Sequence, residues 1–382
     1  MRVLIVNTDY PTFQTWFYEQ NPGLAQAAFD EQMRARNESL FGVADFYSRN
    51  LRKLGHEAWD VYANNDIMQS AWAKEHGMDF KAGGLLRTAK RLATVAPLRY
   101  LKPMLRLLLP VRASFQVLAA QVRHYRPDIL LNQAMDEIPD DFLWEIKSDV
   151  RIIVGQIASP LVTQRHFRSY DLVISSLPNF VDYFRKQGVR SELNRLAFEP
   201  SILQRLEERP RTTDVSFVGS LSSYHKARAR LVETICENVP LSWWGQGDAS
   251  IRQSSILSRR YRGPAWGLAM YQVLRDSKIT LNNHIDIAEN YANNMRLFEA
   301  TGAGTMLVTD RKQNLHEMFE PGKEVAVYGS ADECIEVIRH YLDHEREREA
   351  IARAGQQRTL RDHNYAVRMQ ELMALLTGCM AA

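Results

Sequence analysis

The chain has 382 residues, long for one domain, so two domains are the natural expectation. Hydrophobic residues make up 45% and charged residues 24%, the balance of a globular protein. The net charge of +3 is too small to imply nucleic acid as a partner. The three cysteines, Cys236, Cys334 and Cys379, are too widely spaced for a metal-ligand or redox pair, which fits a reducing cytoplasm.

The chain opens on Met1 to Val6 and turns polar at Asn7, too short for a signal peptide, and predicts a first buried strand over 3–7. No run reaches the ~18 apolar residues that a membrane span needs. The segment 8–39 has no clear second element; segments this long are functional or carry helices of their own. A helix is predicted over 40–54, ended by Gly55, and strands over 58–62, 129–132, 152–155 and 172–175. Helical connectors between short apolar strands imply a parallel sheet with helices on both faces. Ligands in such sheets sit beyond the carboxyl ends of the strands, so Asn7, Asp9, Asn132, Gln133, Asp136 and Gln156 are expected near a cleft. No Gly-x-Gly-x-x-Gly follows the first strand, which argues against dinucleotide binding there.

A helical insertion is expected over about 66–127. From Lys81 to Pro127 it holds ten basic residues and no acidic one, interleaved with leucines. Basic and apolar faces at helical spacing suit an anionic membrane surface or an anionic acceptor; they also suit a helical insertion with a solvated basic face. A charged, proline-bracketed linker runs from Glu199 to Thr213. A second α/β pattern follows, with strands over 215–218, 241–244, 279–281, 305–308 and 325–327. Glu345 to Glu349 reads as a solvated helix face.

Within this half, 293–310 predicts helix, glycine break and strand. Asn293 or Asn294 can cap the helix, Gly302 or Gly304 can end it, and Arg296 and Glu299 share one face. The free N–H groups at the helix start suit a phosphate. The small-residue turn Gly219-Ser220, before a helix that opens on Lys226 and Arg228, suits a phosphate in the same way. The loop Arg262-Gly263-Pro264-Ala265-Trp266 offers either an apolar wall for a nucleobase or a core tryptophan.

Arg296-Leu297-Phe298-Glu299-Ala300-Thr301-Gly302-Ala303-Gly304, followed by Leu307-Val308-Thr309-Asp310, His316-Glu317-Met318-Phe319 and Pro321-Gly322-Lys323-Glu324, resembles the C-terminal half of the CgeB-like glycosyltransferases. So do Asp214 to Ser220, Trp243 to Gly247 and Ser277 to Asn282, in the same order; the resemblance covers roughly 214–376. It implies an α/β fold of two Rossmann-like domains, the GT-B type, with a cleft between them. The expected division is an acceptor domain at 1–198, a nucleotide-sugar-binding domain at 212–362, and a final helix at 363–382 that crosses back to the first domain.

The implied function is transfer of a sugar, hexosyl or related, from a nucleotide-diphosphate sugar to a glycan, lipid-linked or protein acceptor. A cytoplasmic, peripheral-membrane enzyme of bacterial surface glycan assembly fits this reading. Retention of configuration is implied by the resemblance alone. No Asp-x-Asp follows a strand, so no catalytic metal and no cofactor are expected; the departing diphosphate would be met by Lys226, Arg228, Arg296 and helix N-termini. The resemblance gives Glu299 the ribose hydroxyls, which a carboxylate can accept in pairs. It places Asn282-Asn283-His284 at the mouth of the site, with His284 either catalytic or structural. The family's second glutamate, near the donor sugar, is replaced here by Tyr291. That departure keeps open a non-catalytic nucleotide- or sugar-binding protein, and a sugar-nucleotide epimerase on the same fold is the other alternative. If transfer inverts, Asp9 and Asp136, each just past a predicted strand, are the candidate general bases.

Overall fold

In the computed structural model, residues 1–78, 111–161, 167–221, 226–247 and 255–381 are described. They form two all-parallel sheets. The first has six strands in the order β2-β1-β3-β4-β5-β6: β1 Arg2–Asn7, β2 Glu57–Tyr62, β3 Ile129–Asn132, β4 Ile152–Gln156, β5 Leu172–Ser175 and β6 Ser191–Leu193. The second has five in the order β11-β10-β9-β7-β8: β7 Thr213–Val218, β8 Leu241–Trp244, β9 Ser277–Asn282, β10 Met306–Asp310 and β11 Ala326–Tyr328. The central strands of both sheets are buried on both faces, which explains why they read as apolar runs rather than as alternations. In each sheet the run turns polar at its carboxyl end, at Asn7, Asn132 and Gln156 in one and at Asn282 and Asp310 in the other.

Three elements depart from the sequence reading. The segment 8–39 folds into the helices Pro11–Gln20 and Phe29–Glu38. The helix expected from Leu40 starts only at Phe46, because Leu40, Gly42 and Ala44 take positive φ angles of 58°, 60° and 41°. The three-residue strand β6 is polar at two of its positions and too short to show a period. The expected basic docking stretch falls mostly on 81–110, outside the described residues. The helix Val111–Tyr125 that follows it buries Val117, Leu118 and Val122, while Arg123 pairs with Asp149 at 3.2 Å.

The two halves touch at several points. Asn179 Nδ2 donates to the Ile287 carbonyl (3.0 Å), Arg195 pairs with Glu317, and Gln246 bonds Thr12. The last helix, Tyr365–Ala381, packs on the helix Phe46–Lys53 of the first half, with the Tyr365 ring 5.2 Å from Phe46 and 5.5 Å from Tyr47. Among the described residues no helix is long and apolar enough to cross a membrane.

Candidate functional site

The carboxyl edge of the second sheet carries a connected set of polar side chains. Asn294 is the cap of the helix Met295–Gly302: its Oδ1 accepts from Leu297 N at 3.2 Å, while its Nδ2 donates to Asn282 Oδ1 at 2.7 Å. Asn282, buried at the end of β9, donates to Thr309 Oγ1 (2.9 Å), and its carbonyl accepts from the Tyr328 hydroxyl (2.9 Å). The ends of β9, β10 and β11 and the start of the helix are therefore tied into one rigid frame. Gly304, at φ 84°, makes the break between that helix and β10.

His284 and Asp310 stand at the centre of this frame. His284 Nδ1 lies 2.6 Å from Asp310 Oδ1, which also accepts from the His284 backbone N–H at 3.1 Å. Lys312 Nζ is 3.4 Å from the other carboxylate oxygen. Burial pushes the Asp310 carboxyl up, but the His284 hydrogen bonds and charge, with the Lys312 charge, outweigh it and hold it below the usual range. An ionised Asp310 only accepts, so the proton between them sits on His284 Nδ1, which leaves Nε2 as the second polar atom of the ring. That nitrogen is buried and has no hydrogen-bond partner among the described residues. A carboxylate that orients a histidine and leaves its second nitrogen free is the arrangement of a general acid–base pair. Asp310 was quoted in the sequence for its resemblance but not nominated; its signal is the one that marks Asn282, a polar residue closing a buried strand.

Arg228 reaches this group from the helix Lys226–Asn238. Its Nη2 donates to the Asn283 carbonyl at 2.7 Å, and burial lowers its pKa despite the facing Asp310. Lys226 is exposed at the first turn of the same helix, Ser220 is exposed, and Gly219 N donates to the Trp244 carbonyl at 2.9 Å. Residues 222–225 between them lie outside the described residues.

Glu299 lies one layer deeper. Its carboxylate is 2.8 Å from Arg296 Nη1, and the Tyr271 hydroxyl is 3.4 Å away. Burial raises its pKa, against the lowering by Arg296 and Tyr271. Arg296 in turn donates to the Val218 carbonyl (3.3 Å), at the end of β7. Arg296 and Glu299 therefore sit beneath the β7 edge as a mutual ion pair, not as two free groups.

Asp9 departs from its expected role, and Trp266 takes the second of its two expected ones. Asp9 is no free base: Arg36 holds both of its oxygens, at 2.9 and 2.6 Å, in a pair with almost no exposure, and the guanidinium also lies 4.3 Å over the Tyr62 ring. Taking a proton there would break a buried ion pair. Trp266 adopts the packing alternative: its ring is 5.9 Å from Phe13 and 5.1 Å from Phe41, both of the first half. Its neighbour Gly267 explains why. At φ 52° the chain runs so close to the first half that a Cβ would lie 1.8 Å from the Ser39 carbonyl oxygen, which accepts from Leu268 N (3.0 Å). Asp136 stays exposed just beyond β3, next to Tyr10. Among the described residues, one group of three side chains could hold a metal ion, His340, His344 and Glu347; it is exposed on the outer helices, not on either sheet edge.

Residues 204–374 match a family described as glycosyl transferase-like. No curated protein matches the chain. Among solved structures, the chain is similar to HepE of Anabaena in complex with UDP-glucose, at 12% identity and a TM-score of 0.59 over 99% of this chain and 100% of that one. It is also similar to a glycosyltransferase of Rickettsia africae, at 9% identity and a TM-score of 0.57 over 99% and 98%. A third is sucrose-phosphate synthase of Thermosynechococcus elongatus, at 12% and 0.53 over 71% and 78%. The fold is the α/β, two-domain GT-B type. The stretch matched by the glycosyl transferase-like family takes in the second sheet.

Proposed function

We propose that the protein is a glycosyltransferase that takes a sugar from a nucleotide-diphosphate sugar, bound mainly on the second domain, and passes it to an acceptor facing the first. The observation that carries this reading is the preassembled polar edge of the second sheet, inside the segment matched by the glycosyl transferase-like family. Its chemistry suits the reaction. Glu299 can turn from Arg296 to accept the ribose diol; the N-terminus of the helix that Asn294 caps, with Arg228 and Lys226, faces developing diphosphate charge. His284, oriented by Asp310, holds or moves a proton at Nε2 beside the reacting sugar. Asp136 is the acceptor-side base if the configuration inverts; our reading is retention, in which the donor phosphate takes the acceptor proton. No metal is needed for leaving-group stabilisation in this scheme, and activity is expected to survive a chelator.

UDP is the first nucleotide to test, since the HepE structure holds UDP-glucose. Thermal denaturation of wild type and Glu299→Ala should be followed with UDP, GDP, ADP, dTDP and CMP. A ligand at 100 times its Kd stabilises by ~2.7 kcal/mol, so one nucleotide should raise the melting temperature and the variant should lose the shift. A shift that persists in Glu299→Ala removes the ribose role. Donor turnover with candidate acceptors, followed by NMR of the anomeric proton, reads the stereochemistry. Donor binding without turnover would favour the binding-protein alternative that Tyr291 keeps open, and turnover without acceptor would favour an epimerase. The basic stretch 81–127 remains our proposed contact to an anionic membrane, to be tested by co-sedimentation with anionic liposomes at low salt.

A further inference from the structure

One well-formed cavity lies outside the cleft. It has a volume of about 520 Å³ and lies at the opposite end of the second domain, where β7, β9 and β10 begin. Four arginines line it, Arg209, Arg211, Arg275 and Arg353, against two glutamates, Glu208 and Glu349. The linker supplies Arg209 and Arg211, the helix Leu268–Arg275 supplies Arg275, and the long helix Glu345–Asp362 supplies Arg353.

Arg209 is matched by Asp276 (3.0 Å) and Glu207 (3.1 Å), whereas the other three arginines are held without a buried carboxylate partner among the described residues. Arg211 has no carboxylate partner among the described residues; it donates to the Ser277 carbonyl at 2.7 Å and the Gly304 carbonyl at 2.6 Å. Arg275 donates to the Ala303 carbonyl (3.3 Å) and pairs with Glu208 at 3.0 Å, a carboxylate 88% exposed. Arg353 is 3.5 Å from Glu349, and both are largely exposed. Carbonyl bonds position a guanidinium without cancelling its charge, and such exposed ion pairs are worth little and exchange readily. Burial, and the like charge of Arg275, lower the pKa of Arg211. An anion between them would relieve that repulsion. Guanidinium groups held in place match phosphate oxygens with paired N–H donors, and the volume is that of a small-molecule site.

We propose that this cavity is a binding site for a small phosphorylated metabolite carrying at least two negative charges, separate from the donor site in the cleft. It rests on the arginine geometry alone and does not depend on the glycosyltransferase reading. The test is calorimetric titration of the full chain with inorganic pyrophosphate, on wild type, Arg353→Ala, Arg346→Ala and Arg228→Ala. Arg353 and Arg346 are both exposed on the same helix, and Arg346 does not line the cavity. The expected result is a binding component weakened at least tenfold in Arg353→Ala and unchanged in Arg346→Ala and Arg228→Ala. Equal weakening by Arg346→Ala would mean unspecific attraction. Loss in Arg228→Ala with retention in Arg353→Ala would put the anion in the cleft. Either result, or no binding at millimolar pyrophosphate, overturns the proposal.

Discussion

A single buried atom carries much of the chemistry proposed here. Among the described residues His284 Nε2 has no partner, while its other ring nitrogen is held by Asp310. His284→Gln should lower kcat by ~10²–10⁴ with the fold intact, the usual contribution of a positioned acid–base group. Asp310→Asn keeps the size but removes the charge that fixes the tautomer, and should also lower kcat. Steady-state kinetics on the donor identified by thermal shift checks both, and wild-type turnover in His284→Gln would leave the histidine as packing. Asp60 gives a second test at this scale. Burial raises its pKa from 3.8 to about 7, with Asp45 adding to the shift and Ser48, Arg52 and Arg36 opposing it. Its folded pKa lies above its unfolded one, so its contribution to stability is full below about 4 and is lost as pH rises to about 7. Asp60→Asn should therefore gain stability relative to wild type as pH goes from 4 to 8. Denaturant midpoints at four pH values read this, and a flat difference would mean that Asp60 ionises normally. These residues also show what the sequence could not tell. Asp9 and Asp60 look like any carboxylates beside strand ends; only the fold brings Arg36 against one and buries the other.

Elements were more legible than side chains. Strands β3 and β5 lie on their predicted residues, because a strand buried on both faces leaves an unbroken apolar run in the sequence, and β8 does so with alternate positions, Leu241 and Trp243, buried. The helix Met295–Gly302 was legible for the same kind of reason, an asparagine cap ahead of an apolar face. The segment 39–45 was not, since its positive φ angles serve a contact with residues more than two hundred positions away. Gly267 is the other side of that contact. Gly267→Ala needs a left-handed alanine, costing ~1–3 kcal/mol, and drives a methyl group into the Ser39 carbonyl. A clear fall in the unfolding midpoint is expected, with faster proteolysis in the loop 262–268; a midpoint matching wild type would refute the close approach.

At the scale of the molecule, the two sheets follow from the alternation of elements, while the cleft and the returning helix were implied by the family resemblance, and the side-chain contacts between halves had no signal in either half alone. Trp266 shows this best: beside Gly263 and Pro264 it reads as a ligand wall, and the aromatic cluster it joins is built from Phe13 and Phe41. Tyr365 is the corresponding anchor on the other side. Its ring packs on Phe46 and Tyr47, while its hydroxyl is buried with no partner among the described residues. Tyr365→Ala should cost ~3–5 kcal/mol, and Tyr365→Phe should be neutral or stabilising, since it removes only an unsatisfied polar group. Chemical denaturation of both variants separates packing from polarity; a large loss in Tyr365→Phe would show that the hydroxyl is satisfied after all.

The returning helix also bears on how the protein is made. Domains generally fold as units in the order of their synthesis. Here the face of the first domain that carries Phe46 and Tyr47 is covered by residues from Tyr365 onward. During translation that face stays open to water until the second domain has been made, so the nascent chain carries a sticky surface for most of its time on the ribosome.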